Sequence, residues 1–87
     1  MARRRVGLGS TAKVHAKRAT IAAEKAVEAA RKTISFAEDG ACEMAYANFK
    51  GMNFHAGEVR AHGHHIVHNE GLLRRAEHVF RTGCLKL

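Results

Sequence analysis

The stretch AKVHAKRATIAAEKAVEAARKTISFA, residues 12–37, decides the fold. Within it Ala12, Ala16, Ala19, Ala23, Ala26, Ala30, Thr33 and Ala37 recur in alternating steps of four and three residues, the spacing that keeps one edge of a helix against a partner. A bulkier stripe with the same alternation follows: Cys42, Ala45, Phe49, Met52, Ala56, Val59, Gly63 and Ile66. Glu38-Asp39-Gly40 lies between them. Small residues on one stripe and large ones on the other predict an all-α fold, an antiparallel hairpin with an Ala-rich seam.

The first helix is expected from Ser10 or Thr11, either of which can cap it, to about Ala37. Gly40 suits the turn because it tolerates left-handed backbone angles, and Asp39 can cap the second helix, expected from Ala41 to Val67. Gly51, Gly57 and Gly63 each weaken that helix by roughly 1 kcal/mol relative to alanine. The stripe keeps its phase through Gly51 and Gly57, so continuity is expected. After a turn over His68, Asn69, Glu70 and Gly71, residues Leu72, Leu73, Ala76, Val79 and Phe80 give a short amphipathic third helix closed by Gly83. It is expected to fold back over the side that presents Val27, Ile34 and Tyr46.

With 87 residues and no proline, the chain makes one small helical domain over residues 10–87, preceded by a flexible basic arm over residues 1–9. Its uncharged stretches are too short to span a bilayer, and no apolar block of signal-peptide length follows the leading arginines, so no membrane role and a cytoplasmic location are expected. Two cysteines are too few for a secreted disulfide scaffold. A third helix descending roughly 20 Å falls well short of Cys42, placed about 35 Å below the upper turn, which predicts two free thiols.

The net charge of +7 is concentrated at the front, where Arg3, Arg4, Arg5, Lys13, Lys17, Arg18, Lys25, Arg31 and Lys32 meet only Glu24 and Glu28. A basic arm and helix face attract anionic partners. On the outer face of the first helix, Val14 and Ile21 stand seven residues apart among Lys17, Arg18 and Lys25. Apolar anchors rimmed by cations describe a protein-docking surface, and Phe54 also points away from the seam. Arg3 to Arg5 could instead contact phosphates directly, although the chain has neither zinc-finger spacing nor a short helix-turn-helix pattern, and few aromatic residues for stacking.

His62, His64, His65 and His68, with His55 upstream, form the densest polar cluster, and pairing about Gly40 brings His15 toward His62. The spacing permits a metal site as an alternative reading, but spacing supplies neither ligand directions nor outer-shell support; no bound zinc and no cofactor are expected. Gly7-Leu8-Gly9-Ser10-Thr11 with Lys13 is friendly to phosphate but lacks a preceding strand and Walker spacing, so it reads as an arm and a cap. No serine-histidine-acid pattern, paired-carboxylate motif or dinucleotide fingerprint stands out, and a non-enzymatic chain is expected.

The Ala-rich first helix, the turn Ala37-Glu38-Asp39-Gly40-Ala41-Cys42 and the closing Ala76-Glu77-His78-Val79-Phe80-Arg81-Thr82-Gly83-Cys84 resemble small helical accessory proteins of bacteriophages. Some of those bind and inhibit host machinery, CRISPR effector complexes included. The resemblance implies a binding protein acting inside the host cell, with a protein or nucleoprotein complex as partner, through Arg3, Arg4, Arg5, Val14, Lys17, Arg18, Ile21, Lys25 and Lys32 as read from the residues above. Direct nucleic-acid binding is the alternative, and self-association would help an alanine core of modest burial.

Overall fold

A computed structural model describes the backbone of residues 2–62 and 70–85, with side chains from residue 13 onward. Three helices make up the fold: α1 (Ala2–Glu38), α2 (Cys42–Ala61) and α3 (Glu70–Cys84), with no strand among the described residues. The helix start expected at Ser10 or Thr11 lies instead at Ala2, so the stretch read as an arm has helical backbone. Arginine and alanine are strong helix formers, and extending an existing helix through Gly7 and Gly9 costs only about 1 kcal/mol at each.

Both stripes face inward. Ala19, Ala23, Ala26, Ala30, Thr33 and Ala37 of α1 are buried, as are Ala45, Met52, Ala56 and Val59 of α2. Three clusters fix the register: Ala22 and Ala23 with Val59, Ala30 with Met52, and Ala37 with Ala45. Each step of seven up α1 matches a step of seven down α2, which is the signature of an antiparallel pair. Thr33 is the polar residue buried in the seam, and its hydroxyl donates to the Ala29 carbonyl at 2.8 Å, so among the described residues no buried side-chain nitrogen or oxygen lacks a partner.

The turn is closed by backbone rather than by the expected Asp39 cap. Gly40 has φ 77°, its N–H donates to the Ala37 carbonyl at 3.1 Å, and the Ala41 N–H donates to the Phe36 carbonyl at 2.8 Å. These two bonds form a Schellman motif, which satisfies the terminal carbonyls of α1. No side chain caps α2, whose N-cap position is Ala41.

Helix α2 runs unbroken through Gly51 and Gly57 and ends at Ala61 rather than Val67. Gly63 lies outside the described residues, as do His64, His65, His68 and the expected cap Asn69. Of the side expected to present Val27, Ile34 and Tyr46, α3 packs against Ile34 and Tyr46, while Val27 is half-buried and outside the cluster that α3 joins: Leu72, Leu73 and Ala76 pack with Ala30, Ile34, Phe49 and Met52. Farther along, Phe80 stacks on Phe49 at 4.8 Å and on Tyr46 at 6.0 Å between ring centroids. Met52, 2% exposed, thus meets alanines of both α1 and α3.

The expectation of two free thiols is overturned. Cys42 and Cys84 form a disulfide, their Cα atoms 5.5 Å apart. Helix α2 ends at Ala61, six residues or about 9 Å at 1.5 Å per residue below the expected Val67, and α3 extends through Gly83 to Cys84, which removes most of the expected gap. The bond joins the first residue of α2 to the last of α3, so it clamps the third helix at the hairpin's closed end. Among the described residues, no helix is long and apolar enough to cross a membrane.

Candidate functional site

Because the alanine seam occupies one side of α1, its cationic residues are forced to the other. Lys17, Arg18, Lys25, Arg31 and Lys32 are all exposed. Among them Val14 is 44% and Ile21 42% exposed, about 10 Å apart along one line of the helix. Lys32 is partly neutralised, since its Nζ lies 3.1 Å from Glu28 Oε1. Such an exposed helical pair contributes only a few tenths of a kcal/mol and leaves the face basic.

The structure gathers part of the predicted set. Arg18, Ile21 and Lys25 line one surface cavity of about 130 Å³ together with Ala22, Glu58 and His62. Lys25 and Lys32 border a neighbouring one of about 210 Å³, which reaches Asn48, Gly51 and His55 on α2. Val14 and Lys17 lie outside both linings, and the side chains of Arg3, Arg4 and Arg5 lie outside the described residues. The exposed face around Ile21 therefore includes residues of α2 as well as α1, a contribution that a helical wheel of α1 alone does not reveal.

Above this face, His15 and His62 meet across the hairpin with their Nδ1 atoms 2.8 Å apart and ring centroids at 5.0 Å. At that separation one Nδ1 carries the proton and donates while the other accepts. His55 Nδ1 in turn lies 2.7 Å from Glu58 Oε1, one turn below His62. Among the described residues, no group of three or more His, Cys, Asp or Glu side chains is placed to hold a metal ion.

A second exposed region lies at the clamped end and is invisible without the disulfide. Cys42, Glu43, Tyr46, Phe80, Cys84 and Leu85 surround a shallow apolar opening of about 400 Å³. Lys50 Nζ sits 4.5 Å from the centroid of the Tyr46 ring, a cation–π contact at its edge. The sequence signal for this surface is the pair Cys42 and Cys84, which only the folded chain brings together.

Compared with family models, with curated proteins and with solved structures, the chain matches none of them.

Proposed function

We propose that this chain is a non-enzymatic binding module that docks on an anionic protein or nucleoprotein surface through α1. The observation that supports the reading is Ile21, an exposed apolar side chain at the lip of a cavity that also has Arg18 and Lys25 in its wall. A half-exposed isoleucine gains by being covered, and the flanking cations select partners that bring carboxylates or phosphates. The seam holds this face rigid, so docking needs little reordering of backbone. The bacteriophage resemblance fits an accessory protein that occupies host machinery, with or without self-association.

Direct nucleic-acid binding is the second reading, and the helix from Ala2 favours it. That helix carries Arg3, Arg4 and Arg5 on the same rod as Lys17 and Lys25, about 55 Å long at 1.5 Å per residue. A cytoplasmic setting sits uneasily with the Cys42–Cys84 bond, because a reducing cytosol opens such bonds. Trapping thiols by alkylation at lysis reports which compartment applies.

The test is recovery of partners from host extract on immobilised full-length chain, before and after nuclease treatment. Protein partners retained after nuclease and lost with Ile21→Asp support docking on protein. Partners lost with nuclease, together with steeply salt-dependent binding to purified nucleic acid, support the second reading.

A further inference from the structure

We infer that the groove between α1 and α2, on the side that α3 leaves open, receives an acidic amphipathic helix of a partner protein. The inference rests on the docking through α1 proposed above and adds the partner's form and charge. Besides its buried seam, each helix carries a second stripe in alternating three- and four-residue steps: Arg18, Ile21, Lys25, Glu28 and Lys32 on α1, and Ala47, Gly51, Phe54 and Glu58 on α2. The cavities of about 130 and 210 Å³ draw residues from both stripes and share Lys25, and no residue of α3 lines either of them. Two helices that turn such stripes toward a common groove present the holes into which a further helix places its knobs.

The pairing that builds the groove repeats every seven residues. His15 meets His62 head-on across the hairpin, Nδ1 to Nδ1 at 2.8 Å. One heptad on along α1 and one back along α2 come Ala22 and His55, and the next pair is Ala29 and Asn48. The His15–His62 hydrogen bond therefore closes one end, and beyond it the small residues Ala22, Ala29, Ala47 and Gly51 let another helix approach closely. From Arg18 to Lys32 the α1 lip is about 21 Å long at 1.5 Å per residue, about four turns of an incoming helix. A Cβ at Gly51 would meet nothing within 4 Å, so the space beside it is open to a partner's side chain.

Charge selects the occupant. Lys32 is paired with Glu28 at 3.1 Å and Glu58 with His55 at 2.7 Å, which leaves Arg18 and Lys25, one heptad apart, without an ion-pair partner among the described residues. Carboxylates one heptad apart on a facing helix match that spacing of about 10.5 Å. Ile21 lies between the two cations, and Phe54, 65% exposed, stands edge-on to His55 in the groove wall. These apolar side chains gain from a protein helix and nothing from a phosphate backbone, which Glu28 and Glu58 also repel. A second copy of the chain, with its net charge of +7, brings chiefly cations. An acidic helix with an apolar edge meets both requirements.

The experiment uses a synthetic peptide of three heptads with leucine at a and d and glutamate at e and g, whose like charges keep it from pairing with itself. Its binding to the full chain is measured by calorimetry at about 0.15 M salt, where remote charges are screened, beside a peptide of the same composition with the repeat scrambled. One-to-one binding of the patterned peptide, about tenfold or more tighter than the scrambled one, is expected. Lys25→Glu and Gly51→Leu should each weaken it roughly tenfold or more, the first by reversing a lip charge and the second by filling the groove, with helicity by circular dichroism unchanged. Arg75→Glu makes the same change in net charge on the exposed side of α3 and should stay within a factor of about two. No binding by the parent, equal binding of both peptides, an equal loss in Arg75→Glu or full binding by Gly51→Leu overturns the groove. Duplex DNA that displaces the peptide and binds Gly51→Leu as well as the parent likewise overturns it. Recovery of host partners separates the groove from the wider reading: partners lost with Ile21→Asp but kept with Gly51→Leu leave docking through α1 standing and remove the groove, whereas partners kept in both variants remove both.

Discussion

Gly83 lies against the carbonyl of Ala37: a Cβ added at Gly83 would stand 3.5 Å from that oxygen and 4.0 Å from the Ala37 Cβ. This approach of α3 to the end of α1 delivers the next residue, Cys84, to Cys42. Two small residues and one covalent bond thus fix where the third helix ends. Because 3.5 Å is ordinary contact, Gly83→Ala should fold with the disulfide formed, whereas Gly83→Phe should displace the end of α3. Mass spectrometry of alkylated, unreduced protein checks both, and failure of the alanine variant to form the bond would contradict this packing.

Reduction should loosen α3 before the hairpin. Closing a loop of 42 residues limits the unfolded chain by about 4 kcal/mol on the chain-entropy account, and α3 buries only Ala76 and Phe80 fully. Denaturant titration should show a loss of that order in a Cys42→Ser, Cys84→Ser variant. Hydrogen exchange should accelerate first across residues 70–84. Uniform acceleration in all three helices would show instead that they unfold as one unit.

Glycine is not required at two positions of α2. A Cβ at Gly51 or at Gly57 would meet nothing within 4 Å, and neither has a left-handed backbone. Alanine at each should therefore stabilise by about 1 kcal/mol, through the helical propensity gained. Two raised midpoints of denaturation, additive in the double variant, are the expected result. Destabilisation would reveal a close approach that the packing does not contain.

The seam should resist added volume. Ala26 is 0% exposed and lies on the stripe between the two helices, so Ala26→Leu should overpack it and cost on the order of 1 to 3 kcal/mol. Ala23, at the more open Val59 level, should respond in the same direction but less. In the opposite sense, Met52→Ala should leave a cavity between three helices and cost about 2 to 5 kcal/mol. Chemical denaturation measures all three; an Ala26→Leu protein as stable as the parent would show that the helices sit farther apart.

The outer face should tolerate change in folding but not in binding. Ile21→Asp, Lys17→Glu and Lys25→Glu alter exposed side chains, so helicity and melting temperature should stay near the parent values. Partner recovery should fall in each, most in Ile21→Asp, where a charge would have to be buried without a counterion. Unchanged recovery with intact helicity in all three would reject this face as the docking site.

Patterning alone determined the hairpin. The three-and-four alternation of the alanines and its counterpart through Phe49, Met52 and Val59 specified which edges meet, because a helix fixes side-chain direction by residue number. The same periodicity turns Val14, Ile21 and the lysines outward, so the basic face is legible in the sequence. Antiparallel pairing about Gly40 likewise brings His15 to His62.

What the tertiary structure decided depends on distances between elements, which periodicity does not encode. The levels at which the helices end set whether Cys84 reaches Cys42: α2 stops at Ala61, six residues before Val67, and α3 runs on to Cys84. Likewise the cavity joining Arg18, Ile21 and Lys25 to Glu58 and His62 required the rotation and spacing of two helices at once. At the N-terminus, composition rich in arginine and glycine suggested an arm, but with no proline to stop it, helix propagation reached Ala2. Local sequence chose the faces; close packing of small residues chose the distances at which they work.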